Sequence, residues 1–323
     1  MKELTTGDPW MLKTDVGPII DKRAKIAISD YINEAKNNGR LKFQQAVPKN
    51  GNYISPALIE ISGIGDLTHE VFGPVLHIAR FKQHQLTDIL DRINKTGYGL
   101  TFGLQTRIDN RVQYIVNQVK AGNIYVNRNQ IGAIVGSQPF GGEGLSGTGP
   151  KAGGDLYLSR FSAAIQCKTA DKWDKNVHIE TLARRLLECE PPQSIPPRTL
   201  PGPTGESNQL YLHPKAPVLC LGPGQTKSDE QAALIHKLGG CALATSGRIE
   251  PNALIHLPPI GGVLWWGDDT SARSYALALA KRDGPIIPLI TSLPDAAHVL
   301  SERHICIDTT AAGGNIELLS GVS

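Results

Sequence analysis

Two places in the chain carry residue types suited to chemistry. His69-Glu70-Val71-Phe72-Gly73-Pro74 sets a carboxylate and an aromatic ring two residues apart in a short turn closed by Gly-Pro. A carboxylate accepts hydrogen bonds from vicinal ribose hydroxyls, and a ring packs against a flat heterocycle. The same letters also describe a surface glutamate beside a core phenylalanine. The second place is residues 122–154, GNIYVNRNQIGAIVGSQPFGGEGLSGTGPKAGG, which begins as a strand and becomes a glycine run with few charges. Glycine at this density lets backbone N–H groups approach a ligand with no Cβ in the way. Such a loop is entropically expensive to order, which marks a site more often than a spacer. Ile131, Ile134, Val135, Phe140 and Leu145 punctuate it, as a flexible linker would not.

Three other patterns carry less. Gly142-Glu143-Gly144-Leu145-Ser146-Gly147 matches G-x-G-x-x-G by letter, but a Pro-Phe-Gly turn precedes it and Gly-Thr-Gly-Pro follows where a helix should open. Gly222-Pro223-Gly224 does lie between a strand and a helix, yet Pro223 lacks an N–H that a phosphate cradle would use. His304, Cys306 and Asp308 alternate along a strand, so neighbours in the set stand about 6.5–7 Å apart. Proton transfer needs about 3 Å, so a buried cysteine on a core strand is the better account.

The elements around the two places alternate. After a polar lead-in, apolar residues from Ile19 to Ala35 recur at helical spacing, with Pro18 suited to the first helical position and Asn38-Gly39 to the stop. Residues 52–61 read as extended, with Pro56 pointing to an edge or bulge. Strands are expected at 75–81, 100–105 and 124–126, separated by helices bearing Leu86, Ile89, Leu90 and Ile93, and Val112, Ile115, Val116 and Val119. That order predicts a parallel sheet with right-handed crossovers, and ligands of such sheets bind beyond the carboxyl ends of strands. A helix at 181–187 and a proline-rich connector follow. A second alternating region has strands at 218–221, 263–266, 286–290 and 304–307 and helices at 229–238 and 272–281. The expected fold is α/β: a parallel-sheet domain over 1–165, a helix and connector over 166–207, and a smaller Rossmann-like α/β domain over 208–323.

Composition narrows the partners. The 323 residues can bury a full core, and a net charge of +3 with scattered Lys and Arg gives no footprint for nucleic acid. No apolar run is long enough to span a bilayer, and residues 1–11 carry no signal-peptide core. Five widely spaced cysteines without a CxxC or metal-ligand pattern fit a reducing, cytoplasmic setting and no metal.

Several motifs in order carry a family resemblance. EVFGPV (70–75), the GNIYVNR strand end (122–128) and QPFGGEGLSGTG (138–149) resemble the C-terminal half of an aldehyde dehydrogenase. TDVGPIID (14–21), TGYGLTFGLQTRID (96–109) and VNRNQIGAIVGSQPFGGEGLSGTGPKAGG narrow this to the 1-pyrroline-5-carboxylate (glutamate γ-semialdehyde) dehydrogenase module of bifunctional proline utilization proteins. LPGPTGESN (200–208) and DTTAAGGN (308–315) resemble the extra C-terminal domain of the longer members. The resemblance implies NAD as cofactor, with Glu70 on the nicotinamide ribose and Phe72 beside the nicotinamide. It implies that Gly132 and Ala133 hold the substrate α-carboxylate and that Phe140 lines the aldehyde's aliphatic stem. It also implies a tail from Thr309 that docks on the dehydrogenase domain, and FAD only in an upstream proline dehydrogenase module. Partners would be the small-molecule semialdehyde, upstream segments of the same polypeptide and, compatibly, further copies. The parent could lie peripherally at a membrane.

The family's nucleophilic cysteine, oxyanion asparagine and general-base glutamate lie upstream of TDVGPIID, and none of Cys167, Cys189, Cys220, Cys241 or Cys306 stands in a matching context. Thiolate addition is the first step of aldehyde oxidation by this route. The chain alone is therefore expected to be inactive. The alternative from a different class is a non-catalytic assembly or lid module that binds a partner.

Overall fold

The computed structural model describes residues 1–48, 50–190, 192 and 195–310. It divides into two compact units, Met1–Lys95 and Thr96–Ser323.

In the first unit, helix α1 (Lys22–Asn37) starts at Asp21, whose carboxylate accepts the Ala24 N–H at 2.7 Å; Pro18 lies before the cap. The helix buries Ile28, Ile32 and Ala35, one face at helical spacing, and ends before Gly39 at φ +69°. These residues pack on β1 (Leu41–Gln44), β2 (Ala57–Glu60) and β3 (Val75–Ile78), through Ala57, Ile59 and Val75 among others. Strand β2 pairs antiparallel with β1 and parallel with β3. Helix α2 (Leu86–Lys95) closes the unit.

The pairing of β3 differs from the single parallel sheet expected. Strand β3 pairs instead with β2, Val75 opposite Ala57, and both strands turn apolar side chains into the clusters that hold Ile28, Ile32 and Ala35 of α1.

The second unit opens with β4 (Tyr98–Gly99), β5 (Thr101–Leu104), α3 (Asp109–Gln118), β6 (Asn123–Val126) and β7 (Glu143–Gly144). Then come α4 (Ile179–Leu187), β8 (Ile195–Leu200) and the long β9 (Glu206–Pro214). A parallel unit follows: β10 (Val218–Cys220), α5 (Gln225–Lys237), β11 (Ala242–Ala244), α6 (Ala253–His256), β12 (Gly262–Leu264), α7 (Asp269–Leu279) and β13 (Leu289–Ile290). Its four strands are all parallel, in the order β11-β10-β12-β13. Leu219, Leu221, Val263 and Trp265 face α4 and α7 on one side, and Val218, Cys220 and Leu264 face Ile235 of α5 on the other. Near-continuous apolar strands of this kind are what a sheet covered on both faces needs. The α/β class with parallel sheets is therefore as expected.

The division at residues 165 and 207 differs from what the chain forms. After α8 (Ala296–Val299), β14 (Leu300–Asp308) leaves the parallel unit and pairs parallel with β6 and antiparallel with β9. The resulting five-stranded sheet, β5-β6-β14-β9-β8, joins strands from both expected domains. Strand β8 lies inside the proline-rich connector. It is an edge strand, where Pro196 and Pro197 remove no ladder bond that the sheet interior needs.

Two of the five widely spaced cysteines meet in the fold. The end of α4 brings Cys189 to Cys241, 52 residues away, and the two are joined as a disulfide. Of the expected tail, only Thr309 and Thr310 belong to the described residues; 311–315 lie outside them. Among the described residues no helix is long and apolar enough to cross a membrane.

Candidate functional site

The glycine-rich stretch leaves the carboxyl end of β6, whose residues are all buried. Asn127 turns the chain at φ +58°, and its Oδ1 accepts the Thr106 N–H at 2.9 Å. From Arg128 to Gln138 the backbone forms an outward loop. Ile134 and Gln138 exchange both N–H···O bonds, at 3.2 and 2.8 Å, and the Gly136 N–H donates to Gly153 O at 2.9 Å. Beyond the loop, Phe140 and Ala152 exchange bonds of 3.0 and 2.9 Å.

The loop's carbonyls are tied inward. The Tyr125 hydroxyl, at the end of a buried ring, donates to Gly132 O at 3.0 Å. Arg128 Nη2 donates to Ile131 O at 3.3 Å, while its guanidinium lies 5.4 Å over the Tyr125 ring. Gly132 has φ +121°, a conformation that favours glycine. With the carbonyls held from below, the Gly132 and Ala133 N–H groups sit on an exposed turn and have no donor contact among the described residues. Phe140 is half-buried.

In the first unit, Glu70 is exposed and Phe72 is 85% exposed, on the stretch that leads into β3. A core phenylalanine is therefore not what Phe72 is. A free carboxylate beside a ring with open faces fits a ribose and a flat heterocycle, the groups that NAD presents. The structure brings Gly132, Ala133 and Phe140 together on one stretch of the second unit and sets Glu70 and Phe72 close to each other in the first.

Below the loop lies a polar layer that residue spacing did not reveal. Arg128 Nη1 donates to Glu206 Oε2 of β9 at 2.7 Å and to Cys306 Sγ of β14 at 3.1 Å. Gln138, 1% exposed, donates from Nε2 to Glu206 Oε1 at 2.7 Å. Asn208 Nδ2 adds a third bond to Glu206 at 2.8 Å. Further along, Lys151, 2% exposed, donates from Nζ to Asn123 Oδ1 at 2.9 Å and to Gly141 O, while its N–H donates to Glu302 Oε2 at 2.7 Å. Burial pulls the Lys151 ammonium down to about 8, against the opposing pull of Glu302 and Glu143, and burial raises the Glu302 carboxyl. Arg303 clamps Glu143 through two bonds of 3.0 and 2.9 Å.

The strand triplet resolves into separate contacts. His304 is fully buried, shares a 3.1 Å bond with Asn208 Oδ1, and is pulled down to about 4 by burial, reinforced by Lys151. Cys306 faces Arg128, and burial holds its thiol up to about 11 although Arg128 pulls the other way. Burial raises Cys220 to about 12 and also raises Cys167. None of these three is a thiolate at neutral pH. Gly142–Gly147 forms tight turns, with Ser146 N–H to Glu143 O and Gly147 N–H to Gly144 O both at 3.0 Å, and no helix opens there. Gly222 is closed by Gln231, which bonds both its N–H and its carbonyl at 2.9 Å.

The sequence signature of the aldehyde dehydrogenase family matches residues 1–167, just over half of the chain. The chain belongs to the aldehyde dehydrogenase family, a family of oxidoreductases. Within it, the bifunctional protein PutA of Salmonella typhimurium is 34% identical across 99% of this chain, and that of Escherichia coli is 35% identical across 99%. The chain spans 29% of the length of each. The 1-pyrroline-5-carboxylate dehydrogenase 1 of Halalkalibacterium halodurans is 39% identical across 53% of the chain and 33% of its own length. A crystal structure of 1-pyrroline-5-carboxylate dehydrogenase from Thermus with bound NAD is 34% identical, covers 49% of this chain and 31% of its own, and has a TM-score of 0.44.

Proposed function

We propose that the chain is the C-terminal part of an NAD-dependent L-glutamate γ-semialdehyde (1-pyrroline-5-carboxylate) dehydrogenase that works in proline catabolism within a longer bifunctional polypeptide. The observation that carries this reading is the exposed Gly132-Ala133 turn, where Tyr125 holds the Gly132 carbonyl and Arg128 the preceding Ile131 carbonyl while the Gly132 and Ala133 N–H groups donate to no acceptor among the described residues. A small anion needs convergent donors with no side chain in the way, and an α-carboxylate is such an anion. Phe140 then offers an apolar wall to the aliphatic stem.

Glu70 would accept hydrogen bonds from the nicotinamide ribose and Phe72 would pack beside the nicotinamide ring, both exposed on the stretch that leads into β3. NAD, when bound, supplies the hydride acceptor. Holding the α-carboxylate on fixed backbone donors orients the aldehyde end of the same molecule, and orientation of this kind accelerates a chemical step. The nucleophile that attacks that carbon comes from upstream segments of the polypeptide, as does the FAD site of its proline dehydrogenase module.

The test is NADH formation from L-glutamate γ-semialdehyde by the polypeptide that carries this chain with its upstream segments. Glutamate produced with NAD supports the proposal. A polypeptide that oxidises simple aldehydes but rejects the semialdehyde removes the substrate assignment. A polypeptide that binds a protein partner and turns over no aldehyde leaves the assembly-module reading in its place.

A further inference from the structure

Glu206 touches both ends of the exposed loop. Its Oε2 accepts from Arg128 Nη1 at 2.7 Å, where the loop leaves β6, and its Oε1 accepts from Gln138 Nε2 at 2.7 Å, where the loop returns. Both loop-end side chains also contact the same sulfur, Cys306 Sγ, at 3.1 and 3.8 Å. Arg128 in turn reaches Ile131 O, and Gln138 pairs through its backbone with Ile134. One carboxylate thus closes residues 128–138 into a ring, with Gly132 and Ala133 at its outer rim.

The contact is shielded: the Arg128 and Glu206 side chains are 19% and 17% exposed. Charge-assisted bonds in such surroundings are shorter and stronger than those in water, and removing one partner leaves the other charge without compensation. Tying both ends of a glycine-bearing loop also removes much of the entropy that would otherwise be lost when a ligand orders it. Glu206 and Cys306 lie on β9 and β14, beyond residues 1–167 that match the family signature.

We propose that Glu206 is a positioning residue for the Gly132-Ala133 turn, so that a strand outside the family-matched region sets the recognition of the substrate's α-carboxylate. The assignment of the carboxylate to that turn rests on the function proposed above; the closure of the loop does not.

Two readouts separate them. Glu206→Gln, which keeps size and removes charge, and Glu206→Ala are compared with the unsubstituted protein by amide hydrogen exchange. Exchange of the Ile134 and Gln138 amides, each bonded to the other's carbonyl, should quicken roughly tenfold in both variants while amides of β10 stay unchanged. Arg128→Lys, which keeps the charge but loses the fork, should fall between. In the full polypeptide, the same variants should raise KM for the semialdehyde roughly tenfold with kcat nearly unchanged, and leave KM for propanal as it was. Unaltered exchange at Ile134 and Gln138 would overturn the loop closure. Quickened exchange with equal KM increases for both aldehydes would reduce Glu206 to a structural residue. Quickened exchange with an unchanged semialdehyde KM would show that the closure stands and the carboxylate binds elsewhere.

Discussion

Replacing Gly132 by valine tests the anchoring turn through its backbone. A Cβ built at Gly132 would lie 3.6 Å from Arg128 Nη2 and 3.8 Å from Gln138 Oε1, both ordinary contacts, so the first carbon of a side chain meets no clash. The cost lies in φ, which is +121°. A non-glycine residue held in such a region is strained by ~1–3 kcal/mol, and β-branching narrows the alternatives further. The turn relieves that strain by rotating its peptides, which moves both N–H groups and weakens the Tyr125 hydroxyl bond to Gly132 O. At 1.4 kcal/mol per decade, the loss in kcat/KM for the semialdehyde is about 5- to 150-fold. The assay is steady-state NADH formation by the full polypeptide with L-glutamate γ-semialdehyde and, separately, with propanal, which has no α-carboxylate. Gly132→Val should lower kcat/KM for the first and leave the second essentially unchanged. Equal losses on both aldehydes would refute the reasoning, because a turn that merely misfolds does not discriminate between substrates.

Glu70→Ala should weaken NAD by ~1.5–3 kcal/mol through loss of a charge-assisted ribose contact, while thiolate-dependent ester hydrolysis persists; an unchanged NAD dissociation constant by calorimetry argues against the ribose role. His304 is pulled from its ordinary 6.5 to about 4 in the fold, so between those values the unfolded chain takes up a proton that the folded chain refuses. Stability should therefore fall as pH drops from 6.5 toward 4, by about 3 kcal/mol from this residue, and urea midpoints of His304→Gln should show a shallower decline. Lys151 has the same sign higher up: with a folded value of about 8 against the ordinary 10.5, stability should rise across that interval, and Lys151→Met should flatten the rise.

The local elements were largely legible because their signals are local. Apolar spacing marked α1 to within a few residues, and the turn between Asn123 and Gly154 was recognisable from glycine density alone. Gly132 takes a positive φ that glycine permits and that no local pattern dictates. What stayed hidden was non-local pairing. Residues 304–307 read equally well as a strand of the four-stranded parallel sheet, and only the structure shows them inserted between β6 and β9. Pro196 and Pro197 argue against a strand until the edge position of β8 is known. Glu206 and Glu302 carry no local pattern, since each acquires its role from a partner far along the chain: Arg128 is 78 residues from the first and Lys151 is 151 from the second. Four consecutive polar residues, Ser301 to His304, inside a strand were the one available signal, and it points to Glu302 alone. The Cys189–Cys241 link was hidden for the same reason.

The most direct test of the central claim is NADH formation by the 323-residue chain on its own, supplied with L-glutamate γ-semialdehyde and NAD, beside the same assay with the upstream half of the polypeptide added. With Cys306 held up to about 11 and Cys220 to about 12, the isolated chain offers no thiolate to the aldehyde. The account predicts no turnover by the chain alone and turnover once the upstream half restores the nucleophile. Turnover by the isolated chain that Cys306→Ala abolishes would contradict it.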